Sequence, residues 1–452
     1  MLLGYHLLRL RGRMTWAKVW LVAASLVFYA VGQADFLLGF VALGAGNYLL
    51  ALALGRLKKG RKLLMAAAVV WNLGALFYFK YLNFFLEGVN LFAGTAFPLA
   101  ERLLPIGISF FTFQMLAYAG HIYRAPEDLD GPLDYTVFVT FFPQLIVGPV
   151  VKRGELMPQL AGDKLRTFDR VNICRGVMLL AVGCAKKTVL ADPMIKFASG
   201  FYGGDVAAAS PVTAWCGVLA YTFAYYFDFS GYIDMARGIG CFFGVELPVN
   251  FDSPYKARNF ADFWRRWNMT VSRFFSETVF GRLFHFGDGV GRLILATLAT
   301  FLASGLWHGA DWHFLAWGLV NGALVCCANL MTLKRKSLPK PLAVGLTFFA
   351  SVLVRVLFDC NGMTQALQVY RRLFTPVGPG TFLADLTAFG AANWYLLALL
   401  AVAAVLCFCC KNSNEISQKT EFTARDGLFA GALFALSLVH MTQVSGFLYF
   451  NF

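Results

Sequence analysis

A histidine stands in an apolar setting at Ser304-Gly305-Leu306-Trp307-His308-Gly309-Ala310, between the hydrophobic runs 293–303 and 314–327. A bilayer offers a polar ring few partners, so an imidazole at that depth needs a protein partner, water or a chemical task. Imidazole is the side chain that exchanges protons near neutral pH, so the task would be general-base chemistry. On composition alone, a packing histidine bonded to a backbone carbonyl is the plainer reading. Asp311 lies three positions further on. It would orient the imidazole, as carboxylates do in catalytic triads, unless Gly309 breaks the helix between them. His313 reads as structural, and His6, His121, His285 and His440 lack any supporting constellation.

Upstream, the run Asp228-Phe229-Ser230-Gly231-Tyr232-Ile233-Asp234-Met235-Ala236-Arg237 puts two carboxylates and an arginine inside an apolar stretch. Such charges are costly in a membrane and face the bundle interior or a water-filled cavity. Asp234 and Arg237 are three apart and would pair on a helix. Ser230-Gly231 predicts a break or a close-packing point. A buried ion pair locking helices together outweighs direct catalysis as the reading of this run.

The next segment, 248–259, carries two prolines among Asn, Asp and Ser residues and reads as a loop. Residues 260–275 then read as one amphipathic helix. Phe260, Phe263, Trp264, Trp267, Val271, Phe274 and Phe275 follow its apolar spacing, with Asp262, Arg266 and Arg273 opposite. Asn268 comes one turn after Trp264, borders the apolar face and points toward the bundle. A basic amphipathic helix most often lies along a membrane surface. Arg265 and Arg266 at a cavity mouth would also suit a phosphate-bearing donor such as coenzyme A or a phosphopantetheine arm.

The elements that must hold these groups are membrane helices. The chain of 452 residues is 58% hydrophobic and only 14% charged, against roughly 25% charged in soluble domains. Apolar runs recur from 19–31 to 427–450, enough for roughly ten to twelve transmembrane or re-entrant helices. The net charge of +14 does not point to nucleic acid, because the basic residues sit in short loops beside the apolar runs. Arg9, Arg11, Arg13 and Lys18 precede the first run, and Arg56, Lys58, Lys59, Arg61 and Lys62 follow the second. These two runs therefore form a hairpin with both ends in the cytoplasm. No cleavable signal pattern precedes them. The ten cysteines lack metal-ligand spacing and read as small hydrophobes. The expectation is one membrane domain over 1–452, with its motif-bearing core at approximately 100–330.

Taken in order, Asp228-Phe-Ser-Gly-Tyr-Ile-Asp234, Phe263-Trp-Arg-Arg-Trp-Asn268 and Gly305-Leu-Trp-His-Gly309 resemble the membrane-bound O-acyltransferase superfamily. The branch they look most like is the bacterial alginate O-acetylation type. Flanking patterns extend the resemblance over nearly the whole chain. They are Leu104-Pro-Ile-Gly-Ile-Ser-Phe110, Phe141-Phe-Pro-Gln-Leu-Ile-Val-Gly-Pro149, Ala185-Lys-Lys187 running to Asp192, and Phe447-Leu-Tyr-Phe-Asn-Phe452. Two departures stand out. The family's first motif usually ends in histidine where this chain has Asn268. Family members also usually begin with a further apolar segment before the residues matching Arg9 to Lys18, so the start is either truncated or lacks that helix.

The resemblance implies an all-α polytopic fold around a central passage, in the cytoplasmic membrane of a bacterial cell. It also implies a reaction. An acyl group, acetyl for this branch, arrives on the cytoplasmic side as a thioester of coenzyme A or of a phosphopantetheinyl carrier protein, a substrate and not a bound cofactor. His308 acts as general base on an acceptor hydroxyl of an extracytoplasmic polysaccharide or cell-wall polymer. Asn268 donates to the developing oxyanion or orients the acceptor. Trp307 walls the passage, and Arg265, Arg266, Asp228, Ser230, Asp234 and Asp311 are further passage or donor-site candidates. The implied partners are membrane lipid, the donor or its carrier, and an extracytoplasmic hydrolase-like protein that completes the transfer. Neither nucleic acid nor metal is expected. D-alanyl transfer to teichoic acid is the neighbouring alternative. Intramembrane charges and broken helices also fit a transporter or flippase of a lipid-linked sugar.

Overall fold

Lipid cannot satisfy backbone N–H and C=O groups, so a chain this apolar must satisfy them within helices or a closed barrel. A computed structural model, which describes residues 1–100, 103–161, 169–336, 338–441 and 446–448, shows helices. Among those residues no strand occurs, and the all-α polytopic class is as predicted. Among the described residues, six segments are long and apolar enough to cross a membrane: Met14–Arg56, Arg61–Ala93, Val290–His308, Trp312–Leu333, Lys340–Asp359 and Pro379–Phe408. Residues 449–452 of the C-terminal pattern lie outside the described residues.

The chain forms two compact units, Met1–Val177 with Ala236–Pro248, and Met178–Met235 with Val249–Phe452. The first contains the expected hairpin, whose helices Met14–Gln33 and Leu37–Arg56 join through a short 3₁₀ turn at Ala34–Phe36. Its core is aromatic. Tyr29, Phe40, Phe111, Phe138 and Phe141 are all but fully buried. Its buried polar groups satisfy one another in a chain: Asn72 Nδ2 donates to Asn47 Oδ1 (2.7 Å), and Asn47 Nδ2 to Tyr135 Oη (2.9 Å).

The second unit carries the chemistry on helices α1 (Pro211–Phe242), α2 (Phe260–Arg266), α3 (Met269–Phe275), α4 (Val290–His308), α5 (Trp312–Leu333) and α6 (Lys340–Asp359). The last seven residues of α1 belong to the first unit. Helices α4 and α5 approach closely because glycines face each other. A Cβ on Gly305 would lie 2.4 Å from the Phe314 carbonyl oxygen, and one on Gly318 would lie 2.5 Å from that of Phe301. Small residues at such crossings let backbones touch in a membrane, where lipid supplies no hydrophobic drive.

Helix α1 runs through Ser230-Gly231 without a break. Gly231 is a close-packing point instead: a Cβ there would lie 2.8 Å from the Gly183 carbonyl oxygen. This contact brings the π-helical turn Lys186–Ala191 against the carboxylates of α1. Lys187 Nζ lies 2.7 Å from Asp228 and 2.9 Å from Asp192. Lys186 Nζ lies 2.6 Å from Asp234, which also accepts from Ser413 Oγ (2.9 Å). Asp228 further accepts from the Leu448 N–H at 2.9 Å. The sequence spacing drew attention to Arg237 beside Asp234; Lys186, far off in the chain, is a partner that spacing does not show.

Candidate active site

His308 is the last residue of α4, which ends because Gly309 turns extended (φ −163°, ψ 152°). A larger residue could not follow, since a Cβ on Gly309 would overlap the Phe314 ring at 2.0 Å. The imidazole is buried among aromatic rings, with centroids of Trp307, Phe358 and Trp317 at 4.6, 4.9 and 5.1 Å. Asp311 belongs to the next helix. It caps α5, its carboxylate accepting the His313 N–H at 3.2 Å. His313 Nδ1 is bonded to the Leu357 carbonyl oxygen at 2.8 Å.

The predicted single helix over 260–275 is two helices, broken at Trp267 and Asn268. Asn268 has φ 42° and ψ 53°, the left-handed region that few L-residues accept and that Asn, Asp and His visit most readily. Apolar periodicity does not register a single left-handed residue. The break turns Asn268 inward and buries it. Asn250, from the preceding loop, holds it there. Asn250 Nδ2 donates to Asn268 Oδ1 (3.0 Å), while Asn250 Oδ1 accepts from the N–H and hydroxyl of Thr270, both at 2.9 Å. With its carbonyl oxygen engaged, Asn268 offers the donor half of its amide to the cavity it lines.

Two cavities reach His308. The wider has about 1130 Å³ of empty space, and its lining includes Arg265, Asn268, Ser272, Thr300, Ser304 and His308. The narrower is a tight cleft open to its surroundings, and its lining includes Tyr225, Trp317, Asn321, Arg355, Phe358 and His308. His308 and Trp264 line both, so the imidazole stands where the two spaces adjoin. A proton acceptor so placed can serve a reaction between groups arriving by separate routes, with a fixed amide donor nearby for a developing oxyanion.

The other predicted residues divide. Arg265 has an exposed side chain on the wider cavity. Arg266 instead holds the fold, with Nε 3.0 Å from Asp262 and Nη1 3.2 Å from the Asp252 carbonyl oxygen. Trp307 packs on Phe275 (5.9 Å) and on His308 itself. Asp228 and Asp234 sit with the lysines described above and Ser230 is buried beside them in α1. Neither cavity's lining includes Trp307, Asp228, Ser230, Asp234 or Asp311. The aromatic walls Trp264, Trp317 and Phe358, the tether Asn250 and the cation Arg355 were not singled out from sequence. Arg355 alone carried a usable signal: an arginine and an aspartate four apart in an apolar run.

Residues 21–343 match the family model MBOAT, membrane-bound O-acyltransferase family. A peptidoglycan O-acetyltransferase from Helicobacter pylori is 35% identical, over 100% of this chain and 94% of its own length. A probable alginate O-acetylase from Pseudomonas aeruginosa is 33% identical, over 78% of this chain and 69% of its own. A teichoic acid D-alanyltransferase from Streptococcus thermophilus is 26% identical, over 52% of this chain and 59% of its own.

Proposed function

The chain belongs to the membrane-bound O-acyltransferase family, and we propose that, as an acyltransferase of this kind, it moves acetyl from a thioester donor on the cytoplasmic side toward hydroxyls of an extracytoplasmic polysaccharide or cell-wall polymer. The observation that carries the reading is the imidazole lining two cavities at once. The donor enters the wider one, where the exposed Arg265 suits its phosphates. The acceptor enters the narrower one. His308 takes the acceptor's hydroxyl proton, the oxygen attacks the thioester carbonyl, Asn268 donates to the oxyanion, and the thiolate leaves and is protonated. Acetyl-coenzyme A or a phosphopantetheinyl carrier fits this donor chemistry. A hydrolase-like extracytoplasmic partner would receive or finish the transfer, and the cytoplasmic membrane of a bacterium is where such a polymer is reached.

The O-acetylating relatives favour acetyl over D-alanyl transfer, because they span 78% or more of the chain and the D-alanyltransferase about half. The test is ester-bound acetate released by mild alkali from the polymer of cells carrying His308→Ala. Loss of the acetate at unchanged membrane protein level is expected. Unchanged acetate would refute the reading, and lost sugar export with unchanged acetate would favour a transporter.

A further inference from the structure

The narrower cavity contains a cation that the proposed reaction does not use. Arg355 and Asp359 sit one turn apart on α6, and ionisable groups inside a membrane are costly and mark candidate functional sites. Arg355 Nε lies 3.0 and 3.2 Å from the two oxygens of Asp359, whose side chain is 0% exposed. The guanidinium plane stacks on aromatic faces, its carbon 3.3 Å from the Tyr225 ring centroid and 4.4 Å from that of Phe358. Stacking and ion pair together fix its orientation. Its Nη2 is buried and has no hydrogen-bond partner among the described residues.

Several other donors around this cavity are committed to the protein. The hydroxyls of Thr222, Tyr255 and Ser351 donate to the carbonyl oxygens of Val218, Thr222 and Phe348, and the Trp264 indole donates to Asn321 Oδ1. A buried charged donor left over is costly unless an acceptor arrives. Asp359 already balances the charge of Arg355, so the pair has no excess positive charge with which to hold a phosphate. What it offers is a directed N–H for a neutral oxygen, such as a hydroxyl or an amide carbonyl. Phe358 touches both His308 (4.9 Å) and the guanidinium (4.4 Å), so an acceptor reaching the imidazole along this wall also passes Arg355.

We propose that Arg355, held by Asp359, is a positioning residue of an acceptor subsite in the narrower cavity, where it binds an uncharged hydroxyl or amide oxygen of a sugar. This rests on the assignment of that cavity to the acceptor. The probe is chitotetraose, an uncharged N-acetylglucosamine tetramer, titrated into the detergent-purified full chain. The tryptophans walling the cavity, Trp264, Trp267 and Trp317, report binding through their fluorescence. Wild type should give a saturable change, and so should Gly345→Ala, which lines neither cavity and has nothing within 4 Å of its Cβ position. The charge-neutral pair Arg355→Met with Asp359→Leu should bind at least about tenfold more weakly, the weight of one charge-assisted hydrogen bond. Arg355→Lys, which keeps the charge but loses the planar fork, should also bind more weakly and covers the case in which the double variant does not fold. Wild-type affinity in Arg355→Lys, or no saturable change in wild type, would overturn the subsite. The His308→Ala acetate assay stands or falls independently.

Discussion

Asn268 combines a special backbone and a special side chain. Its left-handed φ of 42° would cost most other non-glycine residues about 1–2 kcal/mol, while its amide is fixed by Asn250. Glycine separates the two contributions. Asn268→Gly keeps the backbone relaxed but leaves the buried Asn250 Nδ2 without its acceptor, so in thermal unfolding in detergent it should lose no more than about 1–3 kcal/mol, yet lower turnover by about 10²-fold, the cost of removing one oxyanion donor. Asn268→Val should lose more stability. Full turnover in Asn268→Gly would remove the amide from the mechanism. His308 and Asn268 were legible because each stands in a short, ordered motif. Arg355 showed only as a charge four residues from Asp359 in an apolar run, and its meaning depends on Tyr225 and on a cavity assembled from several helices. The lysine partners of Asp228 and Asp234 were hidden for the same reason, since both carboxylates showed in the sequence but the packing that pairs them did not.

At the scale of elements, the all-α class follows from apolar runs, and the first hairpin falls where the loop residues place it. The break at Asn268 escaped notice because the apolar positions of α2 and α3 keep helical spacing across it. The α4–α5 hairpin depends on a property that sequence shows only as scattered glycines. Gly318→Val should overpack the crossing, since even a Cβ there meets the Phe301 carbonyl oxygen at 2.5 Å. A loss of about 1–3 kcal/mol and of most activity is expected, read from thermal unfolding and turnover. Gly345→Ala on α6 is the control, because nothing lies within 4 Å of its Cβ position. It should be neutral or slightly stabilising. Equal behaviour of the two variants would show that the glycine contact does not set the hairpin.

Across the whole molecule, the Lys186 and Lys187 cluster and the His308 site have separate roles within the second unit. Lys187 is 4% exposed and Asp228 1%, so Lys187→Met strands buried carboxylates and should cost about 3–5 kcal/mol. Adding Asp228→Asn should restore part of the folded protein in the membrane, as measured by monodisperse yield in detergent. No recovery would show that the cluster matters beyond charge balance. The central claim is that one imidazole joins a donor space to an acceptor space. The measurement that tests it most directly uses proteoliposomes holding the purified full chain, with labelled acetyl-coenzyme A on one side and a hydroxyl-bearing saccharide on the other. Wild type should form labelled ester, and His308→Ala should fall by about 10²–10⁴-fold, the reach of general-base help. Ester formed by His308→Ala at the wild-type rate would contradict the account.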